Sequence, residues 1–477
     1  MAHTATALLT QPATELATLI RTGEVLSREL VEAALEQVVA NTHLNAFTLV
    51  DAELALAAAD AVKPGDPRPF AGVPIAIKEL NAVAGQRFTM ASDIFGDYIS
   101  PYDDYVVRRI KDAGFISIGR TAAPEFGIIP ATEPRRFGPT RNPWDTGRTP
   151  GGSSGGAAAA VAAGILPVAQ GSDGGGSIRI PAACCGLVGL KVSRGRISSG
   201  PAAGDNFMAQ SGALTRTVAD AAALLDMMQG YEVGDATWAP PPAEPYAETI
   251  KRPPQRLRIA FTTDSPLDTE IAPACVQAVE DAAKLLAALG HEVEETTPRE
   301  WRSDKLFNAF MTVWGAGIAS GVRWGASVTQ RAPSQELVET LTWGFYRHGM
   351  SKPMPDLFEA IGQLNQHART LVAFFTTFDA LLMPSLGQRP LPIGTINTMA
   401  EDWVFEFQKA AQFTPFTVLW NVTGQPAISV PLYQGADGLP LGVQLAGKPL
   451  GEDTLLALAA QLEAALPWAE RCPTGAK

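Results

Sequence analysis

Two glycine–serine runs crowded into 151–181 constrain this chain more than any other feature. They read Gly151-Gly-Ser-Ser-Gly-Gly156 and Gly171-Ser-Asp-Gly-Gly-Gly-Ser-Ile-Arg-Ile-Pro181. Glycine at this density lets several backbone N–H groups turn toward one point, which is what a developing oxyanion requires. Ser177 ends the second run, so its hydroxyl would stand beside those donors. Read singly, either run also fits an ordinary flexible loop.

A third element gives the runs chemical meaning. Gly72-Val-Pro-Ile-Ala-Ile-Lys78-Glu79 places a lysine at the end of a very apolar stretch that reads as a buried strand. A lysine at a strand end is usually solvated. If buried, its amine loses solvation, its pKa falls and the neutral form can act as a base. Such a lysine is one of the few replacements for histidine in activating a serine. Only five histidines are present (His3, His43, His291, His348 and His367), none near either run. The chain holds neither HExxH nor a GxxxxGK[ST] phosphate loop.

The three elements together resemble the amidase-signature family. The run NPWDTGRTPGGSSGGA from Asn142 is similar to the first half of its signature. The second glycine–serine run, with Cys185-Gly-Leu-Val-Gly-Leu-Lys191, is similar to the second half. The likeness continues through TAAPEFG from Thr121, Met383-Pro-Ser385 and TGQPAISVP from Thr423, so it spans nearly the whole chain. It implies a Ser–cisSer–Lys triad. Ser177 would be the nucleophile, Ser153 the proton relay and Lys78 the base. The N–H groups of Gly174, Gly175, Gly176 and Ser177 would form the oxyanion hole, with Ser154, Asp173 and Arg179 in support. Departures are Glu79 where Asp is usual, Gly174 where a bulkier residue is usual, and Val192 where Pro is common. Gly174 would open space beside the oxyanion loop.

The fold expected is α/β: one amidase-signature domain over 1–477 with a large mixed central sheet covered by helices on both faces. The catalytic core falls in 65–230, and an inserted, mostly helical region over 290–420 covers the substrate. Periodicity predicts helices over 27–39 (capped by Ser27), 106–113, 156–163 and 214–228, the last with Thr217 and Asp220 in capping-box relation. Strands are expected over 73–77, 115–118, 257–261, 380–383, 427–432 and 441–445, and the prolines between 240 and 254 mark an exposed connection. The aromatic-rich segment 301–378, with Trp144 and the 205–208 loop, suggests a pocket for apolar or aryl groups. Trp144, Phe207, Met208, Trp314 and Trp324 are its candidate lining.

Composition narrows the partners. A formal net charge of -12 and no basic cluster argue against nucleic acid. The most apolar stretch is too short for the roughly 20 residues of a membrane span. Four cysteines (Cys184, Cys185, Cys275 and Cys472) without metal-ligand spacing suggest reduced thiols, a cytoplasmic setting and no metal. The expectation is a cofactor-free hydrolase of small amides, aryl carbamates or esters, with a homodimer left open. Two rivals remain: the amidase subunit of a tRNA-dependent amidotransferase, and an α/β-hydrolase whose nucleophile elbow is the GxSxG at 151–155. The latter lacks a strand before the motif and an Asp…His pair after it.

Overall fold

The computed structural model describes residues 5–202 and 207–473. Its strands are β1 (Phe47–Val50), β2 (Pro74–Lys78), β3 (Ile116–Thr121), β4 (Val168–Asp173), β5 (Val188–Lys191), β6 (Gln210–Thr215), β7 (Arg258–Phe261), β8 (Glu292–Glu295), β9 (Ala380–Pro384), β10 (Ala427–Gln434) and β11 (Pro440–Gly447). Eight of them form a sheet ordered β4-β6-β5-β10-β11-β9-β7-β8, and the other three a small sheet ordered β1-β3-β2. The large sheet is mixed: antiparallel from β4 to β9, and parallel where β7 meets β9 and β8. Helices flank it, so the α/β expectation holds.

β2 is buried along its whole length, as an unbroken apolar run predicts. It pairs in parallel with β3, and Gln170 of β4 joins the two sheets. Its Oε1 accepts the Lys78 N–H at 3.0 Å, and its Nε2 donates to Asn81 Oδ1 at 3.0 Å. Arg120 of β3 holds the next peptide unit, donating to the carbonyl of Lys78 and also to that of Asn81. Lys78 is thereby fixed by its backbone from both sides.

The alanine-rich helix spans Gly155–Ala162, and every residue in it is buried. A helix apolar all round belongs in a core, and this one packs backbone to backbone. A methyl at Gly156 would come within 2.3 Å of Ala122 N and 2.4 Å of Ala46 O. The segment 301–378 contains three helices, Asp304–Thr329, Thr340–Ser351 and Met354–Phe374.

Several local readings change. Ser27 does not cap its helix, since Leu26 is the N-cap and Ser27 Oγ instead donates to Gly72 O at 2.9 Å. The helix expected over 214–228 is Val218–Met228, because Leu214 belongs to β6. Thr217 caps it by accepting from Asp220 N, but the Asp220 carboxylate does not return the bond. It accepts from Ala13 N and Thr14 N, capping a helix 207 residues away in sequence. The proline-rich connection contains the short helix Tyr246–Thr249. β4, β5 and the helix Arg179–Cys185 were not foreseen, because glycine, serine and proline in 168–191 mask their pattern, and β1, β6 and β8 were not foreseen either. No helix among the described residues is long and apolar enough to cross a membrane.

Gly156→Ala should lower stability by about 1–3 kcal/mol through overpacking, read by chemical denaturation. Unchanged stability would mean that the helix is not seated as described.

Candidate active site

Lys78 leaves the end of β2 with its side chain fully buried. Its Nζ lies 2.8 Å from Ser153 Oγ and 3.1 Å from both the carbonyl and the hydroxyl of Ser172. Burial lowers its pKa to about 7, against an opposing pull from Asp173. A second buried lysine, Lys191, is also lowered to about 7 by burial and by Arg179. Its Nζ donates to Val192 O at 2.7 Å rather than to a serine, so of these two lysines it is Lys78 that hydrogen-bonds to serines of both runs.

Ser153 follows a cis peptide bond, Gly152–Ser153. It precedes the buried helix Gly155–Ala162, and a methyl at Gly127 would lie 3.1 Å from its hydroxyl. Ser154 ties the runs together: its N–H donates to Ser177 O at 3.2 Å and its Oγ to Ser172 O at 3.2 Å. Ser172, which the sequence reading did not single out, thus serves both Lys78 and Ser154. Its position one residue before Asp173 at the end of β4 was the available signal.

The second run is shaped by one buried carboxylate. Asp173 Oδ1 accepts from Gly176 N at 2.7 Å, and Oδ2 accepts from Ile178 N at 3.2 Å. Arg179 closes a two-pronged pair on it, with both bonds at 2.9 Å and both side chains wholly buried. Burial works to raise the Asp173 pKa. The charge and hydrogen bonds of Arg179 outweigh it and hold the group far below the usual carboxylate range. Arg179 is saturated in turn by Thr417 O, Gln444 Oε1 and Asn421 Oδ1, at 2.9, 2.8 and 2.7 Å. A buried ion pair of this kind is tolerated only when its remaining donors and acceptors are satisfied.

Of the four candidate oxyanion donors one is already engaged, since the Gly176 N–H is committed to Asp173. Among the described residues, the N–H groups of Gly174, Gly175 and Ser177 meet no protein acceptor, and Gly175 and Ser177 line one apolar cavity. At Gly174 the missing side chain leaves room for about one methyl group. A methyl there would touch the Trp314 ring at 3.5 Å and Ala209 at 3.6 Å, so the Trp314 ring and Ala209 cover that face.

The cavity at Ser177 is lined by Ile128, Ile129, Leu306, Phe310, Phe407 and Val418, among other apolar groups, and among the described residues no charged side chain borders it. Of the five candidate lining residues, only Trp314 is there. Trp144 sits elsewhere because its Nε1 donates to Cys185 O at 2.8 Å, satisfying a carbonyl that the end of the helix Arg179–Cys185 leaves free. Trp324 packs on Phe88 and Phe95 in the core. Phe207 lies under the Arg194 guanidinium, 4.5 Å away, and Met208 is buried against Ala309, Leu364 and Val422. The other two residues of that loop, 205 and 206, fall outside the described residues. The sequence reading missed Ile128, Ile129, Phe407 and Val418 as lining. On the helix Asp304–Thr329 the useful signal was the spacing of Phe307, Phe310 and Trp314, which puts them on one face.

Cys184, Cys185 and Cys275 are buried and Cys472 is exposed, all as free thiols. Among the described residues no group of three or more His, Cys, Asp or Glu side chains could hold a metal ion.

A family profile described as Amidase matches residues 29–456. The 6-aminohexanoate-cyclic-dimer hydrolase of Paenarthrobacter ureafaciens is 38% identical over 482 residues, covering 98% of this chain and 97% of its own. The solved structure of a 6-aminohexanoate cyclic dimer hydrolase complexed with substrate superposes with a TM-score of 0.94 at 36% identity, covering 98% of this chain and 100% of the other. A bacterial aryl acylamidase shares the fold, with a TM-score of 0.87 at 24% identity and coverage of 97% and 98%. The chain belongs to the amidase-signature family. It is an amidase, acting on amide bonds in the broad sense of that family.

Trp144→Phe should leave KM unchanged within about twofold and cost about 1 kcal/mol of stability, the value of a lost hydrogen bond. Trp314→Ala should raise KM for an aryl amide roughly tenfold, as expected for a lost aromatic contact. Steady-state kinetics and thermal unfolding of both variants check this, and the reverse pattern would contradict the assignment of the pocket wall.

Proposed function

We propose that this enzyme cleaves neutral apolar or aryl amides through an acyl-enzyme on Ser177. The observation that carries the reading is the buried Lys78 amine, 2.8 Å from Ser153 Oγ and at a pKa of about 7. An amine titrating near the working pH is uncharged often enough to accept a proton and acidic enough to return it. In this scheme Lys78 draws a proton through Ser153, and Ser177 Oγ attacks the amide carbonyl. The N–H groups of Gly175 and Ser177 receive the oxyanion. Lys78 then delivers its proton through Ser153 to the departing amine. Water regenerates the enzyme by the same path in reverse.

The cavity supports the substrate class. Among the described residues its wall is mostly apolar and carries no charged side chain, so a charged acyl chain would lose its hydration there without a partner. Aryl carbamates and esters present the same carbonyl to the same groups and are expected as further substrates. A compact cyclic amide is a second reading. It is favoured by the likeness, over 98% of this chain, to a hydrolase named for the 6-aminohexanoate cyclic dimer. Either substrate would be turned over by the chain alone, without glutamine, ATP or a partner subunit.

Ser177→Ala should abolish turnover of p-nitroanilides, and Lys78→Ala should lower kcat by at least about 10²–10⁴, the usual worth of a general base. For the wild type, kcat/KM should climb with pH and reach half its plateau near pH 7 as Lys78 loses its proton. A Ser177→Ala enzyme that retains activity would overturn the reading. So would a rising limb centred above pH 9. If short aliphatic amides react well while p-nitroanilides and aryl carbamates are inert, the apolar acyl site is wrong.

A further inference from the structure

One peptide plane in the glycine run is held at both ends. The Gly175 carbonyl accepts from Thr417 Oγ1 at 2.6 Å, and the Gly176 N–H of the same peptide unit donates to Asp173 Oδ1 at 2.7 Å. A peptide unit is rigid and planar, so these two bonds fix its orientation. The units on either side carry the N–H groups of Gly175 and Ser177, which have no protein acceptor among the described residues and belong to residues that line the cavity. Thr417 therefore stands behind the two free donors without touching the cavity itself.

The contact is close. Gly176 has a φ of +127°, and a methyl on it would meet Thr417 Oγ1 at 2.4 Å and Thr417 Cβ at 2.6 Å. The glycine run is thus pressed onto the threonine. Thr417 is the N-cap of the helix Val418–Thr423. One turn later, Asn421 Nδ2 donates to Asp173 O at 2.9 Å and to Asp173 Oδ1 at 3.0 Å, while its Oδ1 accepts from Arg179. The same short helix presents Val418, Leu419 and Val422 to the cavity. One helical turn therefore carries both part of the acyl wall and the clamp on the oxyanion loop.

We infer that the Thr417 hydroxyl, backed by Asn421, is a positioning residue that sets the direction of the Gly175 and Ser177 N–H groups. It acts on the transition state rather than on substrate binding. The inference rests on the proposed role of Ser177 and its neighbouring N–H groups. Losing the hydroxyl frees the Gly175 carbonyl and lets the plane rotate, so the two donors lose their aim. The substrate still meets the same wall.

The test compares Thr417→Val, which keeps the size and removes the hydroxyl, with Thr417→Ser, which keeps the hydroxyl. Each is assayed for kcat and KM on a p-nitroanilide, with a thermal melt. Misaimed oxyanion donors cost about 10–10²-fold in rate. Thr417→Val should therefore lose that much in kcat with KM within about twofold of wild type, and Thr417→Ser should recover most of it. Thr417→Ala should show the same kcat loss and replaces the valine variant if that one does not fold. A valine or alanine variant with wild-type kcat, or a serine variant as impaired as they are, would overturn the inference. If Ser177→Ala is inactive while Thr417→Val is fully active, the positioning role fails and the acyl-enzyme reading stands. If Ser177→Ala is itself active, the reading beneath it fails first.

Discussion

Taking an amine out of water is costly when it is charged, and Lys78 has no carboxylate in hydrogen-bond contact to offset that cost. Its neighbours are two serine hydroxyls and a carbonyl. The neutral form is therefore favoured relative to a lysine in water, and its pKa falls to about 7. Much of the surrounding structure serves this one placement. β2 must be apolar to lie in the core, Gln170 and Arg120 must hold the Lys78 N–H and carbonyl, and Gly127 must be small to let Ser153 approach. A surface strand could not lower the amine's pKa in this way.

The second constraint is the buried Asp173–Arg179 pair, which organises the glycine run without entering the cavity. Asp173 directs Gly176 and Ile178 by their N–H groups, and Arg179 carries the link on to Thr417, Asn421 and Gln444. This network joins β4 to the helix Val418–Thr423 and to β11, both more than 240 residues further along the chain. The loop that carries Ser177 is thereby fixed to the large sheet, while the apolar wall comes mainly from 304–329 and 403–422.

The sequence exposes these two roles unequally. Lys78, Ser153, Ser177, Asp173 and Arg179 stood out because glycine density and a lysine after an apolar strand are local signals. The strands with plain apolar runs were legible for the same reason, to within a few residues. β4 was not, since a strand that carries Gly171 and Ser172 imitates a loop. The pocket was the least legible part. Trp144 and Trp324 are large and aromatic, yet one closes a helix end and the other fills the core. Which side of a helix faces a cavity depends on how separate helices dock, and no periodicity within one helix states that. Thr417 and Asn421 were hidden likewise, because their partners lie more than 230 residues upstream.

The central claim is an uncharged Lys78 amine at neutral pH, and it can be observed without turnover. Lysine labelled with carbon-13 at Cε reports its own ionisation by NMR, and the Lys78 resonance is the one missing from Lys78→Met. An uncharged amine at neutral pH requires this resonance to titrate with a midpoint near pH 7. A midpoint above pH 10, as for a lysine in water, would contradict it.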